Sequence, residues 1–167
     1  MKVRFKITAD LLESIRADLI RPHAFAHERV GFISTGIAAI GNDVVALARA
    51  YRPVPDEDYL NDHSVGAMMG REAIRKALEW SMQAAHASFH VHTHGGWGIP
   101  GFSSVDLREN RKFVPDFFKV SARFPHGAIV LSDTAATGQV WLGRSKEPVP
   151  IDSFMVVGPG LKTWGRK

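Results

Sequence analysis

The chain has 167 residues, 45% hydrophobic, 10% aromatic and 23% charged, the composition of one compact domain over 1–167 rather than of a disordered or fibrous chain. It contains no cysteine, which excludes disulfide scaffolds, thiol nucleophiles, zinc fingers and iron–sulfur sites, so any metal falls to His, Asp or Glu. The 21 Lys and Arg against 17 Asp and Glu leave a scattered net charge of +4, and no apolar run reaches the ~18 residues of a membrane span. A cytoplasmic protein with neither nucleic acid nor membrane as its ligand is expected.

Residues 2–7 alternate apolar and charged side chains, which predicts a half-buried strand and lacks the unbroken core of a signal peptide. Leu11 or Leu12, Ile15 and Leu19 then recur at helical spacing, with Thr8 or Asp10 as cap and Pro22 beyond the end. Residues 29–40 and 43–51 predict a hairpin turning at Gly41 and Asn42. The segment 51–64, YRPVPDEDYLNDHS, is rich in proline and acids and is expected as a surface loop facing a substrate. Over 64–87, Val65, Met69, Ala73, Ala77, Trp80 and Ala84 fall on one helical face, which predicts the longest helix. Phe89, Val91 and Thr93 alternate with His90, His92 and His94, a strand with three histidines on one face. SSVDLRENRKFV predicts a short helix, and 127–131, 139–142 and 154–157 predict further strands.

Four of the eight histidines lie between positions 86 and 94. Side chains at i and i+2 of a strand point the same way, so His92 and His94 can converge on one ion. Ser103 and Asp106 form an SxxD pattern whose structural meaning is a helix N-cap with an acid at the third helical position. A carboxylate fixed there and facing the histidine strand completes a three-ligand set with a fourth, tetrahedral position open, the mark of catalytic rather than structural zinc. Hydrolysis at such a site also needs a base for the water's proton. Glu28, in HERVGFIST, is the candidate, although a carboxylate where a strand begins is also an ordinary solvent contact. His90 is either a substitute ligand or a partner that supports one. Nucleobase deaminases, cupins, metallo-β-lactamases and P-loop proteins each need motifs that this chain lacks.

Glu28 with Gly31 in an ExxGF strand start, a long helix, His92-Thr93-His94, and then Ser103 with Asp106 give the chain its resemblance to the JAMM metalloproteases, the MPN⁺ or JAB family. The resemblance runs from about Phe25 to Leu142, and GAIVLSDTAATGQVWLG is similar to the closing strand pair of the small bacterial members. Two features depart from the family pattern: Gly95 stands where proline is common, and the stretch from His94 to Ser103 is one residue longer, with Ser104 as the neighbouring serine. The resemblance implies a single α/β domain of the JAB1/MPN type, with cytidine-deaminase-like layering. Its central mixed sheet would carry the long helix on one side and shorter helices on the other. It implies Zn²⁺ held by His92, His94 and Asp106, Glu28 as catalytic base and Ser103 as the donor to an oxyanion. The implied activity is hydrolysis of isopeptide or peptide bonds in a ubiquitin-like conjugate or precursor, with E1-like and E2-like proteins as partners. The alternative is an inert MPN-type scaffold.

Overall fold

The computed structural model describes residues 1–22, 26–144 and 147–165; Phe25, where the family resemblance begins, lies outside them. Alternating burial makes Val3–Thr8 (β1) a strand with one face in the core. Thr8 then caps α1 (Ala9–Leu19), its hydroxyl accepting from the Leu11 N–H at 3.4 Å, and α1 buries Leu12, Ile15 and Leu19. β2 (Val30–Ile40) and β3 (Asp43–Pro53) form a hairpin closed by the pair Ile40 and Asp43. Its two-residue turn requires left-handed backbone, which Gly41 supplies at φ 60°. A 3-10 turn at Asp56–Asp58 leads to α2 (Arg71–Ala84), β4 (Ala87–Thr93), α3 (Ser104–Phe113) and a second 3-10 segment, Val114–Lys119. β5 (His126–Leu131), β6 (Ala136–Trp141), β7 (Val149–Pro150), β8 (Ser153–Val157) and β9 (Lys162–Gly165) complete the chain; the sequence pattern did not predict β7 or β9.

The strands form one mixed sheet in the order β7-β6-β5-β4-β2-β3-β1-β8-β9. β1 runs parallel to β3 and β8, and β4 parallel to β5. β7 and β8 stand near opposite ends of that order, yet only Ile151 and Asp152 separate them. The Ile151 N–H bonds to the Gly138 carbonyl on β6 at 2.9 Å and the Asp152 N–H to the Val3 carbonyl on β1 at 2.8 Å. The sheet therefore curls until its ends almost meet, and Phe5 of β1 reaches Phe89 of β4, 5.3 Å between ring centres, across the space enclosed.

Neighbouring residues of β2 feed two cores. Ile33 joins Phe5, Phe89, Val91 and Ile129 in the inner cluster with α1, while Val30 and Phe32 pack with Ala73, Ala77 and Trp80 of α2. Helices thus cover both faces, as an α/β chain requires. Their distribution differs from the expectation: α1 alone lies on the inner face, and α3 shares the outer face with α2, where its Phe113 meets His90. Among the described residues no helix is long and apolar enough to cross a membrane.

The longest helix starts at Arg71 rather than at Ser64. Gly66 and Gly70 disfavour helix, and their backbone groups are spent elsewhere. The Gly66 carbonyl accepts from the N–H groups of His27 and Glu28 at 2.9 and 2.8 Å, and the Gly70 N–H donates to the Asp58 carbonyl at 2.7 Å. Within the acid-rich loop, Asp58 is buried against Lys76 at 2.7 Å, and half-exposed Asp56 pairs with buried Arg29 at 2.6 Å. Both acids brace the scaffold, while Leu60 and Ser64 of the same loop border the cleft of the candidate site.

His126 is fully buried; its Nδ1 accepts from the Ser88 N–H at 3.1 Å and its Nε2 donates to the Ser121 carbonyl at 2.9 Å. Burial pushes its pKa down to about 4, and burial beside Arg52 and Arg49 does the same to His86. The unfolded chain takes up each proton near pH ~6.5, whereas the folded chain resists until about 4. Stability is therefore complete above that upper value and falls as pH drops toward the lower one, at ~1.4 kcal/mol per pH unit per histidine. Melting curves between about pH 7.5 and about pH 4.5 should show this decline, with a shallower slope in His126→Gln. A flat profile in the wild type would contradict it.

Candidate metal centre

β4 lies between β2 and β5, with His92 opposite Val30 on one side and Val130 on the other. Strand alternation sends Phe89 and Val91 into the inner core and turns His90 and His92 toward α2 and α3. His94 follows directly after β4, its N–H held by the Leu131 carbonyl at 3.0 Å. A capping box aims the start of α3 at this pair: the Ser103 hydroxyl accepts from the Asp106 N–H at 3.1 Å, and Asp106 Oδ2 accepts from the Ser103 N–H at 2.7 Å. The same Oδ2 stands 3.5 Å from His92 Nε2 and 3.3 Å from His94 Nε2, and the two Nε2 atoms are 3.1 Å apart. Ligand atoms around a tetrahedral zinc are ~3.3 Å from one another. The three atoms fit one face of such a tetrahedron.

Glu28, His92 and His94 also each offer one ligand atom, all within 4.8 Å of one another, so the Glu28 carboxylate is itself a candidate ligand beside the two imidazoles. The backbone around it is fixed at successive residues. Its own N–H is bound by Gly66, while the Arg29 guanidinium, 2% exposed, bonds the Arg21 carbonyl at 2.7 Å and Asp56 at 2.6 Å. The Val30 N–H donates at 2.8 Å to the Tyr59 hydroxyl, whose proton returns to the Val30 carbonyl at 3.2 Å. Burial pushes the Tyr59 hydroxyl up to about 12, so it remains a donor. Gly66 gives the carboxylate its room, because a Cβ there would overlap the Glu28 oxygens.

Glu28, His92, His94, Ser103 and Asp106 all border one cleft of about 730 Å³, whose walls include Val30, Met69, Ile74 and Phe113. Burial opposes ionisation of Asp106, but hydrogen bonding and charge from His92, joined by bonds from Ser103, hold its carboxyl below the usual carboxylate range. Burial and the neighbouring His92 push His90 down to about 3, against smaller upward pulls from Asp106 and Asn110. His90 is therefore neutral at physiological pH.

The loop from His94 to Ser103 is defined by its backbone conformation and its hydrogen bonds. Gly95 has φ 63°, which proline, fixed near −65°, cannot adopt. The longer loop is tied down by the Gly98 N–H on the Thr134 hydroxyl at 3.0 Å and the Ser132 hydroxyl on the Gly98 carbonyl at 2.6 Å. Ser103 rather than Ser104 caps α3. Trp97, 88% exposed, stands on this loop between the two site residues.

No family model matches the chain, and no curated protein matches it. Among solved structures, the STIL N-terminal domain of Trichoplax adhaerens is similar at a TM-score of 0.39 and 10% identity, over 80% of this chain and 40% of that one. The chain thus spans less than half of that protein's length, and a likeness this slight assigns neither fold nor activity.

Sequence reading did not single out Gly66, Tyr59, Arg29 or Asn110. Two of these carried a signal: Arg29 is a charge inside an apolar run, and Asn110 lies one turn beyond Asp106, on the same face of α3. Gly66→Ala should displace the Glu28 carboxylate from His92 and His94, with the melting temperature staying near wild type. A crystal structure and a melting curve of the variant check this; an unmoved carboxylate would show that the close approach is unimportant.

Proposed function

We propose that the chain is a zinc-dependent metallopeptidase of the JAMM type, hydrolysing isopeptide or peptide bonds in a ubiquitin-like conjugate or its precursor. In this reading the curled sheet with helices on both faces is a JAB/MPN-like domain. The observation that carries the proposal is the meeting of His92 Nε2, His94 Nε2 and Asp106 Oδ2 at 3.1 to 3.5 Å, with Glu28 alongside. Two imidazoles and a carboxylate with no thiolate suit zinc in a hydrolytic site. When bound, zinc supplies Lewis acidity, polarising a carbonyl and making water acidic enough to lose a proton near neutral pH.

The chain's own residues do the rest. Asp106 is close enough to both imidazoles to serve as the third ligand, and its low pKa keeps it ionised for that task. Glu28 accepts a proton from the attacking water as the oxygen bonds to the carbonyl carbon. It delivers that proton to the amine nitrogen when the C–N bond breaks. The Ser103 hydroxyl proton is not used in the capping bond, in which its oxygen accepts, so it is available to a developing oxyanion. The apolar walls Val30, Met69, Ile74 and Phe113 suit an apolar stretch of substrate beside the scissile bond. E1-like and E2-like partners follow from the JAMM resemblance. An inert scaffold gives no account of a carboxylate seated beside an assembled ligand set.

Glu28→Gln is nearly isosteric but cannot hold the transferred proton. With a ubiquitin-like protein bearing a C-terminal aminocoumarin amide as substrate, its single-turnover rate should fall ~10² to 10⁴-fold. Zinc content and melting temperature should be those of the wild type. Wild-type turnover in the variant would remove Glu28 from the mechanism.

A further inference from the structure

Behind the ligand set lies a group of polar atoms that the reaction above does not use. His92 meets His94 and Asp106 through Nε2, which leaves Nδ1 as the nitrogen turned away from the site. That Nδ1 is buried and has no hydrogen-bond partner among the described residues. Both ring nitrogens of His90 and the Nδ2 of Asn110 are in the same condition, in side chains whose residues are 7% and 2% exposed. The rings of His90 and His92 lie 5.5 Å apart at 32°, and the rings of Phe32 and Phe113 stand 5.6 and 5.1 Å from His90, with Asp106 and Asn110 also close enough to act on it. Four unpaired nitrogens this well buried, in side chains that also border the cleft, are unusual, since buried polar groups are almost always paired.

The imidazoles and the amide carry complementary groups. When His92 presents the lone pair of Nε2 to the site, its Nδ1 bears the proton and needs an acceptor. A neutral His90 offers one lone pair and one N–H. The Asn110 amide can present either its oxygen or its nitrogen by turning about its last side-chain torsion. The ring separation is one that a modest rotation converts into an N–H···N contact.

The geometry points to His90 and Asn110 as positioning residues: His92 Nδ1–H donates to His90, whose own N–H donates to the Asn110 amide oxygen. This chain fixes the tautomer and ring angle of His92, and so presets the lone pair that the metal takes. It rests on the metal-site reading above and adds that the ligand set extends through the sheet face to α3. Asp106 and Asn110, four residues apart on α3, would then act at opposite ends of the His92–His90 pair.

The test is zinc affinity by competition with a chromophoric chelator, together with ¹⁵N NMR of the imidazole tautomers in metal-free protein. His90→Leu and Asn110→Leu should each weaken zinc binding ~10 to 100-fold, the usual cost of losing such a partner. The double variant should be little worse than either, because both act through one chain. His90→Gln, which can still accept and donate, should recover most of the affinity. In metal-free wild type the Nδ1–H form of His92, held by His90, competes with the Nε2–H form that bonds Asp106, and His90→Leu should shift the balance toward Nε2–H. Leucine variants that fold, bind zinc as the wild type does and leave the tautomer unchanged would overturn the proposal while leaving the metal site intact. A wild type that binds no zinc, with an unaltered His92 tautomer in the variants, would overturn both.

Discussion

The pairing of β4 against β2 governs everything at the site. His92 is opposite Val30 and His90 opposite Phe32. Because side chains alternate along a strand, a slip of one residue would drive both imidazoles into the inner core and expel Phe89 and Val91, each 0% exposed, from it. That penalty locks the register. The two strands are antiparallel, so the residues just before β2 lie beside those just after β4. Glu28 and His94 are brought together by this topology, from positions 66 residues apart in sequence. The curl of the sheet supports the arrangement from behind, since Phe89 packs against Phe5 across the enclosed core.

The segment before β2 bears unusual demands. It carries a carboxylate to the site and is followed immediately by a buried guanidinium. A buried guanidinium needs partners for its N–H groups, and Arg29 finds them in half-exposed Asp56 and in the carbonyls of Arg21 and Pro22. Tyr59 satisfies both backbone groups of Val30, and Gly66 satisfies the N–H groups of His27 and Glu28. Rigidity at the base and an open cleft beside it thus come from the same loop, 59–70, which folds back on β2 through its backbone. The unpaired nitrogens of His90, His92 and Asn110 form the least satisfied region of the described structure.

Much of the fold was legible because local chemistry and tertiary structure agree. Thr8 caps α1 as its position suggests, Gly41 makes the hairpin turn, and the SxxD pattern forms a capping box. The histidine strand follows from period-two alternation and the placing of Ser103 and Asp106 from a helix start, whereas Glu28, which borders the same cleft, was singled out by the family resemblance and not by any local pattern. The remainder depended on contacts distant in sequence. Val65 and Met69 match a helical period, but the Gly66 carbonyl that a helix would use is bound by the strand ahead of it. The acids at 56 and 58 look solvent-facing until Arg29 and Lys76 are seen beside them. β7 and β9 are edge strands of two and four residues, paired with β6 and β8 and too short to show a local pattern.

Two imidazoles and one carboxylate are proposed to hold a tetrahedral zinc ion. Zinc K-edge X-ray absorption on protein prepared without a histidine tag and loaded with one equivalent of zinc tests this. A four-coordinate ion at ~2.0 to 2.1 Å is expected, with imidazole scattering from two histidines and the remaining ligands oxygen. An ion with a six-oxygen shell and no imidazole scattering, or zinc that dialyses away completely, would contradict it.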